Sequence, residues 1–240
     1  MIIWIIATLC AFFIKGLCGF ANTLVFTSVL SFGTANISIS PVELILGYPT
    51  NVIISWKERR SINPRICVPL SFMVIAGSLV GVIFLKNAGT TLIKMICGIV
   101  IVFTGIELFI HEISDKKKKG SGILFAIVGI ASGILCGMYG IGALLGAYIG
   151  RVAEDTKAFK ANICLVFIVE NTFRIICYII FGIITFDSLK KALMLMPFMM
   201  IGLGGGMLSA GFIDEKLAKK IVVVMLIISG TALFIQALVG

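Results

Sequence analysis

The sequence predicts an all-α integral membrane protein, and its composition and the length of its apolar runs are the two observations behind this prediction. Of the 240 residues, 60% are hydrophobic and only 13% are charged, and the mean hydropathy is +1.16. A soluble domain of this size needs a more polar surface. The runs 66–85, 92–110 and 221–239 each supply about 20 mostly apolar residues, enough to cross about 30 Å of hydrocarbon. Because a backbone in lipid must satisfy its own hydrogen bonds, each run is predicted to be a helix.

The composition also narrows the function classes. The net charge of +9 comes from short basic clusters between apolar runs, which is typical of cytoplasmic loops that face anionic lipid rather than of a nucleic-acid surface. The 7 cysteines are scattered without metal-ligand spacing, so we expect neither a disulfide framework nor a metal site. No cofactor is expected either. The first run has no basic n-region and no cleavage site, so we expect it to stay in the mature protein.

Apolar blocks alternate with helix-breaking residues along the chain, and the most polar point, 115–120, falls near the middle. Pro41 and Asn63-Pro64 are among the predicted breaks. We predict a single transmembrane transporter domain over 1–240, with a first repeat at 1–114 and a second at 121–240. The blocks are 1–33, 41–56, 66–85, 91–111, 122–150, 158–183, 188–211 and 217–239.

The two halves resemble each other in sequence. Their matching positions occur in the same order, and the shift between them grows from 118 to 125 residues along the chain. Ordered agreement of Gly, Asn and Cys favours a duplication, which is typical of secondary transporters. The matches are 17–19 with 135–137, Asn51 with Asn171, Gly77 and Gly81 with Gly202 and Gly206, and 92–109 with 217–234.

The distribution of basic residues favours inverted over parallel repeats. Eight full spans would place 10 basic residues on one side and 8 on the other. If blocks 1–33 and 122–150 are bent back at their Gly-rich centres, 14 share one side and 4 oppose them. The positive-inside rule favours this second arrangement. It predicts two inverted repeats of four hydrophobic segments each, the first segment of each being broken or re-entrant, with both termini outside.

The Gly-rich centres of these two blocks are predicted to form the substrate site. They read FIKGLCGFANTLVF (13–26) and ASGILCGMYGIGALLG (131–146). A helix that restarts after a break presents free N–H groups and the positive end of its dipole, which suits an anion. Alternatively, these glycines only permit close helix packing. The predicted binding residues are Lys15, Gly16, Cys18, Gly19, Asn22, Thr23, Asn51, Cys136, Gly137, Tyr139, Gly140, Asn171 and Arg174.

Several candidates have a second interpretation. Lys15 could neutralise a bound anion or snorkel to an interface. Glu170 and Arg174, four residues apart on one helix face, could form a structural ion pair, or could act as a proton-coupling carboxylate and an anion contact. Cys18 and Cys136 could contact a sulfur anion, relay sulfur covalently or simply pack.

The segments KGLCGFANTLVFTSVL (15–30) and GILCGMYGIG (133–142) resemble the sulfite exporter TauE/SafE family. So do the basic loop after the second block and the Asn near the end of the second block of each half. The resemblance covers nearly the whole chain. It implies an uptake or efflux carrier for sulfur-containing anions such as sulfite, sulfonates or thiosulfate.

We therefore predict a secondary transporter, and not an enzyme, that moves a small sulfur-containing anion across a bacterial-type plasma membrane through a central site between the repeats. No Walker motif is present, so a gradient would drive it. Two alternatives stay open: a membrane sulfur relay that uses Cys18 and Cys136, and a membrane subunit of a sulfur-handling complex. The expected partners are the anion and the bilayer, without nucleic acid. Coupling to a proton or another ion and a homodimer are compatible with the sequence.

Overall fold

The structure, a computed structural model, describes residues 1–30, 34, 36–87, 99, 122–210 and 212. The described ordered segments are helical, and four helices are long and apolar enough to cross a membrane, so the predicted all-α membrane class is confirmed. The predicted blocks 91–111 and 217–239 lie outside the described residues. The helices are α1 Ile2–Cys18, α2 Asn22–Leu30, α3 Asn36–Lys57, α4 Pro64–Asn87, α5 Gly122–Tyr139, α6 Ala143–Val152, α7 Thr156–Ile180 and α8 Phe186–Ser209.

The long helices are α3, α4, α7 and α8, and the starts of α4 and α7 have recognisable local causes. Pro64 opens α4, a position where its missing N–H has no helical partner to lose. The Asp155 side chain accepts a hydrogen bond from the Ala158 N–H at the start of α7. The prediction of a break at Pro41 is wrong, because α3 continues through this residue. Membrane helices tolerate proline where neighbouring groups satisfy the freed carbonyl.

Glycines let α4 pack on α5, and α1 on α8, with their backbones almost in contact. A Cβ added at Gly81 would lie 3.1 Å from the Cα of Gly137 and would overlap the carbonyl oxygen of Ile134. At the other interface, a Cβ on Gly206 would lie 3.0 Å from the Cα of Gly16. Small residues at both interfaces are typical of membrane helix pairs. Each pair joins a helix from one half of the chain to a helix from the other.

The two ends of the bundle differ in their number of basic residues. At one end, the N–H of Asn63 donates to Oδ1 of Asn162 over 2.7 Å, which joins the start of α4 to the start of α7. At the other end, the starts of α3 and α8 and the end of α4 line a cleft. We call these the basic end and the cleft end. The basic end carries Lys57, Arg59, Arg60, Arg65 and Lys157, and the cleft end carries Lys86, Lys190 and Lys191.

Helices α1 and α2 form a hairpin, and so do α5 and α6. The ring centroids of Trp4 and Phe26 are 5.8 Å apart, and Nζ of Lys191 lies 5.2 Å from the Trp4 ring. Helix α2 therefore returns to the cleft end, where α1 began. Helix α5 runs beside α4 from the basic end, and α6 returns along α7. The chain thus reverses at 19–21 and 140–142, inside the two Gly-rich segments.

Candidate functional site

A glycine in the left-handed conformation closes each helix that precedes a break. Gly19 has φ 84° and its N–H donates to the carbonyl oxygen of Lys15. Gly140 has φ 74°, and its N–H donates to the carbonyl oxygen of Cys136 over 2.7 Å. Glycine adopts this conformation without a steric penalty. Ala21 shares it with φ 72°, and for a residue with a Cβ the strain is about 1 kcal/mol.

Aligning the two halves on these cap glycines gives a different residue shift from the one that the sequence match gives. From Gly19 to Gly140 the shift is 121 residues (140 − 19), whereas the Leu-Cys-Gly match uses 118. Cys18 directly precedes its cap glycine, while Cys136 lies one helical turn before its own. Relative to the breaks, Cys136 corresponds to Lys15, since the carbonyl oxygens of both accept the cap N–H. The two cysteines are therefore not equivalent in this register.

A small cavity lies between the two breaks. It is lined by Phe20–Leu24 from the first break, by Gly140 and Gly142 from the second, and by Phe167 of α7. Its volume is about 10 Å³, which is the space of about one water molecule. Helices α2 and α6 both begin at this cavity, and α6 does so without a side-chain cap. A helix start of this kind favours a negative charge.

Arg174 of α7 is a buried cation beside the cavity, with only 1% of its surface exposed. Its Nη1 donates to the carbonyl oxygen of Cys136, and its Nη2 donates to Oδ1 of Asn171 over 3.2 Å. Its Nε has no hydrogen-bond partner. A guanidinium carries five N–H donors, so donors remain for an oxyanion. A Cβ on Gly140 would lie 2.8 Å from Nη1, so glycine is what allows the second break to come this close.

Two buried carboxylates flank this guanidinium. Oε2 of Glu43 lies 3.5 Å from Nη2, and Oε1 of Glu170 lies 3.7 Å from Nε. Each carboxylate also accepts hydrogen bonds from neutral polar side chains. Oε1 of Glu43 accepts from Nδ2 of Asn22 and from Oγ1 of Thr23, each over 2.6 Å. Oε1 of Glu170 accepts from Oγ of Ser78 over 2.9 Å. The Oε2 atoms of both carboxylates have no hydrogen-bond partner.

Glu43 was not among the residues predicted from the sequence, although it contacts more of the site than any single predicted carboxylate does. It is the acidic residue of helix α3, between Asn36 and Lys57. An ionisable residue within a membrane segment is a candidate functional residue by default. That signal was present in the sequence and would have identified Glu43. No group of three His, Cys, Asp or Glu side chains in the described ranges is arranged to hold a metal ion.

Some of the predicted binding residues meet around Arg174. They contribute side-chain hydrogen bonds, a backbone carbonyl or a close backbone approach. The Cys136 thiol is directed elsewhere, since it donates to the carbonyl oxygen of Ile141 over 3.5 Å. The residues that meet here are Asn22, Thr23, Cys136, Gly140 and Asn171.

Other predicted residues lie apart from the guanidinium. Gly16 packs against the backbone of α8, where an added Cβ would lie 2.7 Å from the Met207 nitrogen. Asn51 is buried, and its Oδ1 has no hydrogen-bond partner. Cys18 is buried as well. The side chain of Tyr139 lies outside the described part of the structure.

Lys15 and the end of α1 are enclosed by α7. The Lys15 side chain is only 1% exposed, and its charge interacts with Glu43 and Cys164, so it does not snorkel to an interface. The Cys164 thiol donates to the carbonyl oxygen of Gly19 over 3.5 Å. Nζ of Lys160 donates to the carbonyl oxygen of Leu17 over 2.6 Å. A cation is stabilising at such a helix C-terminus.

Hydrogen bonds of the Tyr178 hydroxyl lie between the candidate site and the cleft end. The cleft has a volume of about 440 Å³ and is lined in part by Pro41, Lys86 and Lys191. Just below it, the Tyr178 hydroxyl donates to the carbonyl oxygen of Gly137 over 3.1 Å and lies 2.8 Å from Oγ of Ser40. The next turn of α3 carries Glu43. The site is therefore closed toward the cleft in this conformation.

Comparison with known proteins relates the chain to a family of transporters. The family model described as "Sulfite exporter TauE/SafE" matches residues 4–233, which is nearly the whole chain. Neither the curated proteins nor the solved structures gave a match.

Proposed function

The chain belongs to the sulfite exporter TauE/SafE family, and on this premise we propose that it is a secondary transporter for a small anion of the sulfite, organosulfonate or thiosulfate class. We place it in a bacterial-type plasma membrane. The observation that carries the proposal is the buried guanidinium of Arg174, which lies beside both helix breaks and keeps unused N–H donors. A buried cation with spare donors suits an oxyanion.

In this proposal the anion binds between the two breaks. Arg174 supplies the charge, and the first N–H groups of α2 and α6 supply further donors. The amide of Asn22 and the hydroxyl of Thr23 are within reach of the same space. Interrupted helices that direct their ends at a shared site are typical of secondary transporters.

The proposed architecture is one domain of two inverted repeats, 1–114 and 121–240, with the α1–α2 and α5–α6 hairpins re-entrant. Three observations support it. Each hairpin begins and ends at one end of the bundle, and the two hairpins start from opposite ends. Helices of one half also pack on helices of the other half, α1 on α8 and α4 on α5. The excess of basic residues at one end supports a cytoplasmic basic end.

Transport then requires a change of conformation, because the cavity holds about one water molecule. We propose that the Ser40–Tyr178 contact opens toward the cleft in one access state. Glu170, paired with Arg174, is the coupling carboxylate predicted from the sequence, and Glu43 is a second buried carboxylate on the same guanidinium. Assembly as a homodimer stays a prediction from the sequence.

Purified protein tests this proposal directly. We expect sulfite, thiosulfate, sulfoacetate or taurine to raise its thermal unfolding temperature, and labelled thiosulfate to enter proteoliposomes but not protein-free liposomes. Sulfate serves as the related oxyanion for comparison. If no sulfur anion binds or moves, the transporter proposal is wrong, and the alternative of a membrane subunit of a larger sulfur-handling complex gains support.

A further inference from the structure

The carboxylate of Glu43 is held in the way that an oxyanion ligand would be held. Its Oε1 accepts two short hydrogen bonds, from the Asn22 amide and the Thr23 hydroxyl. Its Oε2 faces Nη2 of Arg174 at 3.5 Å without a hydrogen bond. Glu43 is only 2% exposed. The Asn22 and Thr23 donors that would serve a small anion are therefore already occupied by an anion that belongs to the protein.

This carboxylate also contacts residues that line the cavity between the breaks. A Cβ on Gly140, which lines the cavity, would lie 2.9 Å from Oε2 of Glu43 and 3.0 Å from Cγ2 of Thr23. The cavity has room for about one water molecule, so a sulfur oxyanion does not fit beside the carboxylate. Withdrawal of the Glu43 side chain would release both the donors and the space.

The charges that surround Glu43 are balanced when all of them are ionised. Glu43 and Glu170 carry two negative charges, and Arg174 and Lys15 carry two positive charges. Helix α2 has no titratable residue, and the charged residues of α8 lie in its first two turns, at the cleft end. The titratable groups that interact with Glu43 are Lys15 of α1, Cys136 of α5, and Glu170, Arg174 and Tyr178 of α7.

An incoming anion would upset this balance unless a proton came with it. An uncompensated charge in a buried site is strongly unfavourable. Protonation of one carboxylate removes one negative charge and offsets a monovalent anion. Glu43 is the carboxylate that leaves the donors free when it is neutralised, whereas Glu170 bonds to Ser78 and not to Asn22 or Thr23.

We propose that Glu43 is an internal substitute for the transported anion, and that anion binding and proton binding are coupled through its displacement. In the empty site the ionised carboxylate accepts the hydrogen bonds of Asn22 and Thr23 and faces Arg174. When the anion binds, it takes these donors, and the Glu43 carboxylate withdraws and accepts one proton from water. Anion and proton then cross together. This inference rests on the proposed function and assigns the coupling role within it.

The test measures anion and proton movements in wild-type protein and in Glu43→Gln, with Glu170→Gln as the matched variant. The probes are labelled methanesulfonate and ethanesulfonate, monovalent anions whose charges do not change between mildly acidic and mildly alkaline conditions. In the wild type, we expect affinity to rise on acidification and a pH dye inside proteoliposomes to report proton entry with the anion. Glu43→Gln should bind about tenfold more tightly at neutral pH, because the competing carboxylate is gone. It should also lose the pH dependence and the proton flux, while Glu170→Gln, which leaves the Glu43 carboxylate on Asn22 and Thr23, should gain less affinity.

The outcomes separate this inference from the proposed function. If the wild type transports these anions and Glu43→Gln retains proton flux and pH dependence, the displacement of Glu43 is refuted alone. If Glu43→Gln does not fold, the wild type decides: an affinity for methanesulfonate that does not change with pH refutes the coupling. A wild type that neither binds nor moves any sulfur anion overturns the proposed function, and the inference with it.

Discussion

At the scale of single residues, the molecule concentrates its buried charge around one guanidinium. Arg174 faces Glu43 on α3 and Glu170 on its own helix, and neither carboxylate makes a direct hydrogen bond to it. In a buried site, such pairs contribute little net stability, yet removing one partner is strongly destabilising. The cluster is therefore sensitive to any change that leaves a charge unmatched.

Replacing Arg174 with Gln is expected to lower the free energy of unfolding by about 3–5 kcal/mol, since it leaves two buried carboxylates without their cation. Transport should be lost as well. Adding Glu43→Gln to Arg174→Gln should recover much of the stability but no transport. Thermal unfolding and thiosulfate uptake measure the two effects. A double variant as unstable as the single one would contradict the idea that the charges depend on each other.

The double variant Cys18→Ser, Cys136→Ser is expected to keep most of its anion flux. The Cys136 thiol donates to a backbone carbonyl, a bond that a serine hydroxyl can replace. The two cysteines also occupy different positions relative to their helix breaks. Flux in proteoliposomes is the measurement. Loss of flux in a folded protein would instead support the sulfur-relay alternative.

Polar residues within apolar blocks made much of the site predictable. Arg174, Glu170, Asn171, Asn22 and Thr23 stand out because buried polar groups in a membrane need partners. Which partners they meet could not be predicted, since Asn22 and Thr23 reach Glu43 only through the folding of the hairpin. Glycine was ambiguous for a different reason. Glycine serves both where two helices pack closely and where a helix ends in a left-handed turn. From the sequence alone, the packing role of Gly16 could therefore not be distinguished from the turn at Gly140.

At the scale of elements, the helix breaks and the glycine interfaces use the same residue for different physical purposes. Gly140 is needed for its left-handed φ and for the space beside Arg174. Gly206 is an ordinary helical residue whose missing side chain lets α1 and α8 touch. Substitutions at the two positions should therefore affect different properties.

Gly140→Ala is expected to abolish transport, and Gly182→Ala is its matched control. Both glycines have positive φ, 74° and 66°, so both variants should lose about 1 kcal/mol of stability from backbone strain. Only the Cβ at Gly140 would meet site atoms, whereas nothing lies within 4 Å of a Cβ at Gly182. Equal transport by the two variants would argue against a functional break at Gly140.

Gly206→Ala should destabilise the protein by about 1–3 kcal/mol, because its Cβ would overlap the carbonyl oxygen of Phe13 in α1. Gly204→Ala, two residues earlier in the same helix, has open space at the added Cβ and should be neutral or slightly stabilising. Thermal unfolding of the two purified variants is the measurement. A neutral Gly206→Ala would mean that α1 and α8 pack less closely than described.

Hydropathy and length were enough to predict the long helices, but their ends were set by local chemistry. Pro41 was expected to interrupt a helix, yet α3 extends from Asn36 to Lys57. Sequence rules for proline are calibrated on water-exposed helices, and they weaken where a membrane offers the backbone no alternative partner. The reversals at 19–21 and 140–142 fell within the Gly-rich segments because few other residues permit such a turn.

At the scale of the whole molecule, contacts between distant parts of the chain show which loops lie at the same end of the bundle. The bond between Asn63 and Asn162 places the loops that precede α4 and α7 together. The cleft gathers the opposite ends of the long helices. A parallel arrangement of eight spans would place the first two loops on opposite sides of the membrane, and this difference can be measured.

Cysteine labelling tests this topology. Single replacements Arg60→Cys and Glu154→Cys, both at exposed positions near the basic end, should be protected from an impermeant reagent in intact cells. Ser38→Cys and Lys190→Cys, exposed near the cleft end, should be labelled. The parent carries Cys10→Ser, because Cys10 is the exposed cysteine among those described. Arg60→Cys and Glu154→Cys reacting from opposite sides would contradict inverted repeats.

The buried charged residues are not repeated in the two halves of the chain. Positions one repeat length from Arg174 and Glu43, at residues 53–54 and 163–164, are Ile, Ile, Ile and Cys, so neither half can stand in for the other electrostatically. If the halves exchange roles as the protein alternates, the two access states are not mirror images and differ in free energy. The carrier would then rest mainly with one face open even when no gradient is applied, and its affinities on the two sides of the membrane would be unequal.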